Sequence, residues 1–391
     1  MPHDPPPPAL PPAAAGAPSP PAPSAAPPSP TSPSPASPRT TLLRTAPPPW
    51  HPDALAARLP ALRRRAALLR DTRAFWEGRG CTEVETPALV PVPGMEVHLH
   101  GFRSRFEPHL GRGEGRDLWL RTSPELAIKR LLVGGAGSVF EIARVWRNGE
   151  VSARHAPEFT MLEVYLAGAG MEGLMEAVED YLRAVLPRRV LHTGVETDLS
   201  LPFERVSVAG AFARLGLDLL ASVDPRTGEG DAAALAGLAR EAGLAAPEGL
   251  GWEDLFFHLM LEHVEPRLGR ERATFLTHWP APQAALARRD PADPRAALRF
   301  EVFAAGLELG NAFDELLDPA EQAARFARDV AEREALYGPG WGVDRDFLAA
   351  LAQGMPPTAG IAMGFDRLAM LAAGVPDLDG VRWLGGWPYE G

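Results

Sequence analysis

RNGEVSARHAPEFTMLEVY, residues 147–165, opens on an arginine and closes on an apolar run that carries a carboxylate, Glu163. The flanking text SVFEIARVW and PEFTMLEVYLAG reads as two strands joined by a polar loop, an antiparallel hairpin. On a strand, residues two apart share a face. Phe159, Met161, Glu163 and Tyr165 therefore point the same way. A bare buried carboxylate is costly, so Glu163 needs a cation or donor. Arg147 precedes the bend and can sit across from it. A structural Arg–Glu pair closing the hairpin satisfies the pattern as well as a ligand pocket does.

Three other stretches raise the same question. RFEVFAAGLELGNAFDELLD, residues 299–318, sets Glu301, Glu308, Asn311 and Glu315 in an otherwise apolar run. Carboxylate oxygens there suit Mg²⁺, which usually bridges to substrate phosphates. GIAMGFDRLAML, residues 360–371, places Gly360, Ala362 and Gly364 where a ligand could approach the backbone, followed by Asp366 and Arg367 at a helix start. A planar guanidinium there can stack on a base or pair with phosphate. TSPELAIKR, residues 122–130, starts a helix at Glu125, just after Ser123. Alone, an acid in a helix's first turn is explained by the dipole. Taken together, two arginines suit a nucleotide and two glutamates suit Mg²⁺. Glu125, Glu163, Tyr165 and Glu315 are left without an obvious basic partner in the sequence. That surplus of acid suits a substrate with two ammonium groups.

The chain has 391 residues, 46% of them hydrophobic, and a net charge of −11. Overall it presents no basic face for a phosphate backbone, so strong nucleic-acid binding is not expected. The single cysteine, Cys81, excludes an internal disulfide framework and a Cys-rich zinc site. No apolar run suits a membrane span, and the N-terminus lacks a secretory pattern; the expected location is cytoplasmic. Residues 1–48 are Pro/Ala/Ser-rich and read as a disordered tail. Residues 49–391 read as one catalytic domain, with a mostly helical insertion at about 200–270. Strands split by helices without regular βαβ alternation predict an α+β fold with a mainly antiparallel sheet.

FEIARVWRNGEVSARHAPEFTMLEVY (140–165) resembles motif 2 of the class II aminoacyl-tRNA synthetases, of the lysyl type. GIAMGFDRLAML is similar to motif 3, and FWEGRGCTEVETP (75–87) to motif 1. TSPELAIKRLLVGG and GLELGNAFDELLDP look like lysyl-specific blocks. The resemblance covers about 55–375. It implies an antiparallel sheet flanked by helices, use of ATP and Mg²⁺, and a homodimer formed through motif 1. No anticodon-binding domain is expected ahead of the catalytic domain. In that respect, and in FLTHWPAPQAALA (275–287), the chain resembles the stand-alone elongation factor P–lysine ligases. That resemblance implies activation of (R)-β-lysine as an adenylate and its transfer to a lysine side chain of elongation factor P. The alternatives are the same first step with another acceptor, such as tRNA or a small amine, or a catalytically silent lysine- or ATP-binding regulator.

The resemblance assigns roles residue by residue. Arg147, Arg367 and Glu308 would be catalytic. Arg147 would contact the α-phosphate. Arg367 would stack on adenine and reach the γ-phosphate, with Phe159 on the other adenine face. His155 would help hold the triphosphate, Asn148, Gly149 and Leu309 would border the nucleotide, and Gly364 would let it approach. Glu301 and Glu308 would hold Mg²⁺. Ser123, Pro124, Glu125, Glu163, Tyr165, Asn311, Glu315 and Ala362 would form the lysine pocket. Ala362 stands where lysyl-tRNA synthetases usually have glycine, and its methyl would favour the shifted amine of β-lysine. Two departures from the pattern are Gly149, with Glu150 next to it as a substitute, and Ala156, which loses a nucleotide hydrogen bond.

Overall fold

The structure is a computed structural model and describes residues 47–108 and 114–385. All but the last two residues of the expected tail lie outside it. Helix α1 (Pro52–Gly78) begins with proline in its first turn and is capped by His51. Strands β1 (Thr82–Glu83), β2 (Leu89–Val90), β3 (Phe102–Phe106) and β4 (Arg116–Leu120) lead to α2 (Glu125–Val133). The expected hairpin follows as β5 (Val139–Trp146) and β6 (Glu158–Ala167), then α3 (Met171–Val185). Strands β7 (Arg189–His192), β8 (Val195–Asp198) and β9 (Glu204–Ser207) precede α4 (Val208–Ala213), α5 (Ala232–Glu241) and α6 (Trp252–Leu259). The chain returns through β10 (Thr274–Pro280), β11 (Ala296–Ala304) and β12 (Leu307–Asp314). It ends with α7 (Pro319–Tyr337), α8 (Arg345–Leu351), β13 (Thr358–Gly364) and α9 (Phe365–Ala373).

Eight strands form one sheet in the order β1-β5-β6-β13-β12-β11-β10-β9. The six inner strands pair antiparallel, as expected. Both edges are parallel, β1 with β5 and β9 with β10, because each edge strand arrives from outside the hairpin ladder. Strand β9 belongs to the 200–270 insertion, which is therefore stitched into the sheet. The insertion also has its own core, in which Trp252 and Phe256 stack with ring centroids 5.2 Å apart.

Alternation along β6 divides its two faces. Leu162 and Val164 join the core built with α1, α3 and α9, around Trp76, Tyr181 and Phe365. A buried ion pair, Arg65 to Asp366 at 2.5 Å, ties α1 to α9 beneath the sheet. Phe159, Met161 and Tyr165 face the other way, onto a cavity. No helix among the described residues is long and apolar enough to cross a membrane.

Candidate active site

The cavity holds about 1180 Å³. Its floor is the exposed face of β6, β12 and β13, and its lining includes Ser123, Glu125, Arg147, His155, Phe159, Tyr165, Glu308, Leu309, Asn311, Ala362, Gly364 and Arg367. Four sequence motifs far apart in the chain thus meet in one space. Strand register does this: Glu163 lies opposite Ala362, and Ala362 opposite Asn311.

One end is acidic. Glu163 is fully buried, and its carboxylate accepts from Ser123 Oγ at 2.5 Å and from Tyr165 Oη at 3.0 Å. Burial, reinforced by the charge of Glu125, pushes its pKa up to about 8. Burial raises Tyr165 well above the usual phenol range, with Glu163 adding to the effect. Lys129 Nζ sits 2.6 Å from both Glu125 Oε1 and Glu315 Oε2. Burial opposes the Lys129 charge, but the two carboxylates outweigh it and hold the amine above its ordinary range. Burial pushes Glu315 up to about 8 even against Lys129. Its Oε1 has no hydrogen-bond partner and sits beside Gly360. A Cβ at Gly360 would lie 2.4 Å from the Tyr165 ring and 2.9 Å from Glu315 Oε1.

The other end is cationic and aromatic. The Arg147 guanidinium lies 5.3 Å from the Phe159 ring centroid. Arg367 donates to the Glu308 carbonyl at 2.7 Å and lies 3.3 Å from its carboxylate. Its other Nη contacts His155 Nε2 at 2.7 Å. Glu150 and Ala156 also line this end.

Several expectations need correction. Arg147 does not sit opposite Glu163; it lies over Phe159, and the Glu163 carboxylate is satisfied by hydroxyls instead. Glu125 and Glu315 do have a basic partner, Lys129. The signal was present in the sequence, because Lys129 is four residues after Glu125 on a helix. Asn148 and Gly149 leave the cavity, since Asn148 N–H bonds the His100 carbonyl, and both border a separate depression beside Trp119 and Trp341. Pro124, Glu163, Glu301 and Glu315 lie behind the lining rather than on it. Gly360 lines the cavity, and the side its Cβ would occupy is filled by Tyr165 and Glu315.

Glu301 and Glu308 were assigned to Mg²⁺. In the ligand-free geometry Glu301 pairs with Arg299 at 2.7 Å, a partner two residues away that sequence reading passed over. Burial, with the charge of Glu308 added, pushes Glu301 up to about 8. Among the described residues no cluster of three metal-binding side chains occurs. Glu308 lines the cavity and its charge reaches Glu301 behind it; such carboxylates suit a hard cation that takes its remaining ligands from phosphates and water, so the residues present fit Mg²⁺ bound together with a nucleotide.

The model of the family "tRNA synthetases class II (D, K and N)" matches residues 57–385. The chain belongs to this class II synthetase family. Curated relatives within reach are named elongation factor P–(R)-β-lysine ligase. The protein of that name from Salmonella paratyphi B is 40% identical over 330 residues, 84% of this chain and 95% of the relative. The one from Mannheimia succiniciproducens is 40% identical over 337 residues, 86% and 97% of the two chains.

Proposed function

We propose that this chain is an ATP-dependent, AMP-forming ligase that activates (R)-β-lysine as an adenylate and transfers it to a lysine side chain of elongation factor P. The observation that carries the reading is the buried acid at one end of the cavity, Glu125 on the lining with Glu163 and Glu315 behind it, and Arg147, His155, Phe159 and Arg367 on the lining at the other end. The names of the 40%-identical relatives agree with it. On this reading the two amines of the substrate lie among the glutamates and its carboxylate points toward the nucleotide end.

The substrate carboxylate attacks the α-phosphorus of ATP and pyrophosphate leaves. Arg147 offsets charge on the phosphoryl oxygens, and Phe159 with Arg367 holds the adenine between them. Catalysis is then mostly positioning and preorganised electrostatics. Glu301 and Glu308 would hold Mg²⁺, which supplies charge neutralisation on the phosphates. In the second step the neutral ε-amine of the acceptor attacks the adenylate carbonyl, AMP leaves with the bonding pair, and the leaving phosphate takes the proton. A homodimer and a cytoplasmic setting belong to the same reading.

The test is ATP–pyrophosphate exchange stimulated by (R)-β-lysine, followed by a mass increase on elongation factor P that disappears with Arg147→Ala. Exchange with neither β- nor α-lysine sinks the proposal. Exchange without modification of elongation factor P, but with loading of tRNA or a small amine, moves the acceptor elsewhere.

A further inference from the structure

The acidic end can be counted charge by charge. Glu125, Glu163 and Glu315 are each nine-tenths or more buried, and Lys129, 2% exposed, touches two of them. Most other charged groups around the cluster are matched; Asp329, on the α7 side of the cavity, is pushed up to about 6 by burial. Glu141, opposite Glu163 on β5, pairs with Arg121 at 2.7 Å. Asp314, next to Glu315, pairs with Arg288 at 2.6 Å. From α8, against which α2 packs, Asp346 and the capping Asp344 go to Arg130. From α7, Glu321 goes to Arg325. Glu96 faces Glu125 from the segment between β2 and β3, but it is half-buried and on the cavity surface. With all three acids ionised, as bound cations would require, three enclosed carboxylates against one enclosed ammonium leave two negative charges to be matched. One atom advertises the deficit: Glu315 Oε1 is buried, has no hydrogen-bond partner and lies beside the cavity-lining Gly360.

We propose that Lys129 is a specificity-determining residue: a built-in third cation that sets the pocket to accept two ammonium groups from its substrate, no more and no fewer. Lys129 touches no reacting atom. It consumes one unit of negative charge and braces Glu125, on the cavity lining, against Glu315 behind it. A buried carboxylate stripped of its cation either costs several-fold in affinity or takes up a proton. The number of ionised acids the pocket can hold is therefore fixed by the cations inside it, Lys129 included. This inference rests on the reading of the cavity as a lysine site.

The count makes an unusual demand on double substitutions. Glu125→Gln leaves two carboxylates against Lys129 and a pocket one charge short, so the KM for (R)-β-lysine in pyrophosphate exchange rises. Adding Lys129→Met to Glu125→Gln restores the two-charge deficit. The double variant is expected to bind β-lysine about ten-fold better than Glu125→Gln alone, with the KM for ATP and kcat moving by less than about three-fold. Lys129→Met alone leaves a carboxylate in excess. A double variant equal to or worse than Glu125→Gln overturns the inference and makes Lys129 a purely structural cation. So does a KM for ATP that moves in parallel with that for the amine. The double variant keeps the net charge of the wild-type cluster, so the comparison survives even if Lys129→Met fails to fold. A wild-type protein with no lysine-dependent exchange would instead sink the reading of the site itself.

Discussion

Arg367 Nη2 lies 2.7 Å from His155 Nε2, so the guanidinium that opens α9 is held by an imidazole from the bend between β5 and β6. Arginine has no acceptor. His155 must therefore be neutral at Nε2 with its proton on Nδ1, which faces Ser152 Oγ at 2.9 Å. Burial first, and the Arg367 charge second, hold the imidazole below its usual pKa of 6.5. The folded value is depressed, so the contact is complete above about 6.5 and is lost as pH falls through that lower value. Pyrophosphate exchange should show an acid limb from this group. His155→Ala should erase that limb and raise the KM for ATP by about ten-fold, the scale of a hydrogen bond to a charged group. A pH profile of exchange for both proteins checks it.

Glu163 gives the opposite sign. Its folded pKa, about 8, lies above the unfolded 4.5. The stability it contributes is fully present below 4.5 and declines as pH rises through 8. The ligand-free protein should melt at progressively lower temperature across that window. Glu163→Gln should flatten the slope, and saturating lysine should restore stability in the wild type by offsetting the ionised acid. Thermal melts at half-unit pH steps, with and without lysine, measure all three.

Gly360 is a position where one methyl decides the outcome. A Cβ there would meet the Tyr165 ring at 2.4 Å, inside any tolerated contact. Gly360→Ala should cost about 1–3 kcal/mol of stability by overpacking. It should also raise the amine KM, because Tyr165 and Glu315 must both move. Denaturant unfolding and exchange kinetics on the same sample separate the two effects.

Ala362 faces the cavity between Glu163 and Asn311 in the strand register. Removing its methyl enlarges the space where an α-amine would sit. Ala362→Gly should narrow the preference for β- over α-lysine by about ten-fold, within the roughly 1–3 kcal/mol that a single methylene-sized group supplies. The ratio of kcat/KM for the two substrates in exchange is the measurement. An unchanged ratio would assign the preference elsewhere.

The hairpin, the three motif strands and α9 were legible because period-two alternation and glycine punctuation are local signals. The parallel edges were not, since pairing of β9 with β10 depends on where an insertion folds back, which no local pattern encodes. The site was legible as a set of acids and arginines but not as a set of partners. One hydroxyl neighbour of Glu163, Ser123, comes from α2's leading loop, forty residues upstream, and Lys129 reaches Glu315 across 186 positions of sequence. Arg147 was paired with the wrong group for the same reason: proximity across a bend suggested Glu163, whereas the side chain turns to an aromatic ring on the near end of the same strand.

Phe159 and Glu163 stand on one face of β6, four positions apart, roughly 13 Å at the rise of a strand. On the proposed reading, a single stiff rod would serve as a calliper, with one jaw toward the nucleotide base and the other toward the amine. Neighbouring strands clamp it on both sides, so its opening cannot be adjusted by loop motion. Evolution of a new amino-acid length in this scaffold would have to proceed by shaving or padding side chains along the gauge, because shifting the rod by one residue would turn every measuring surface toward the opposite side of the sheet.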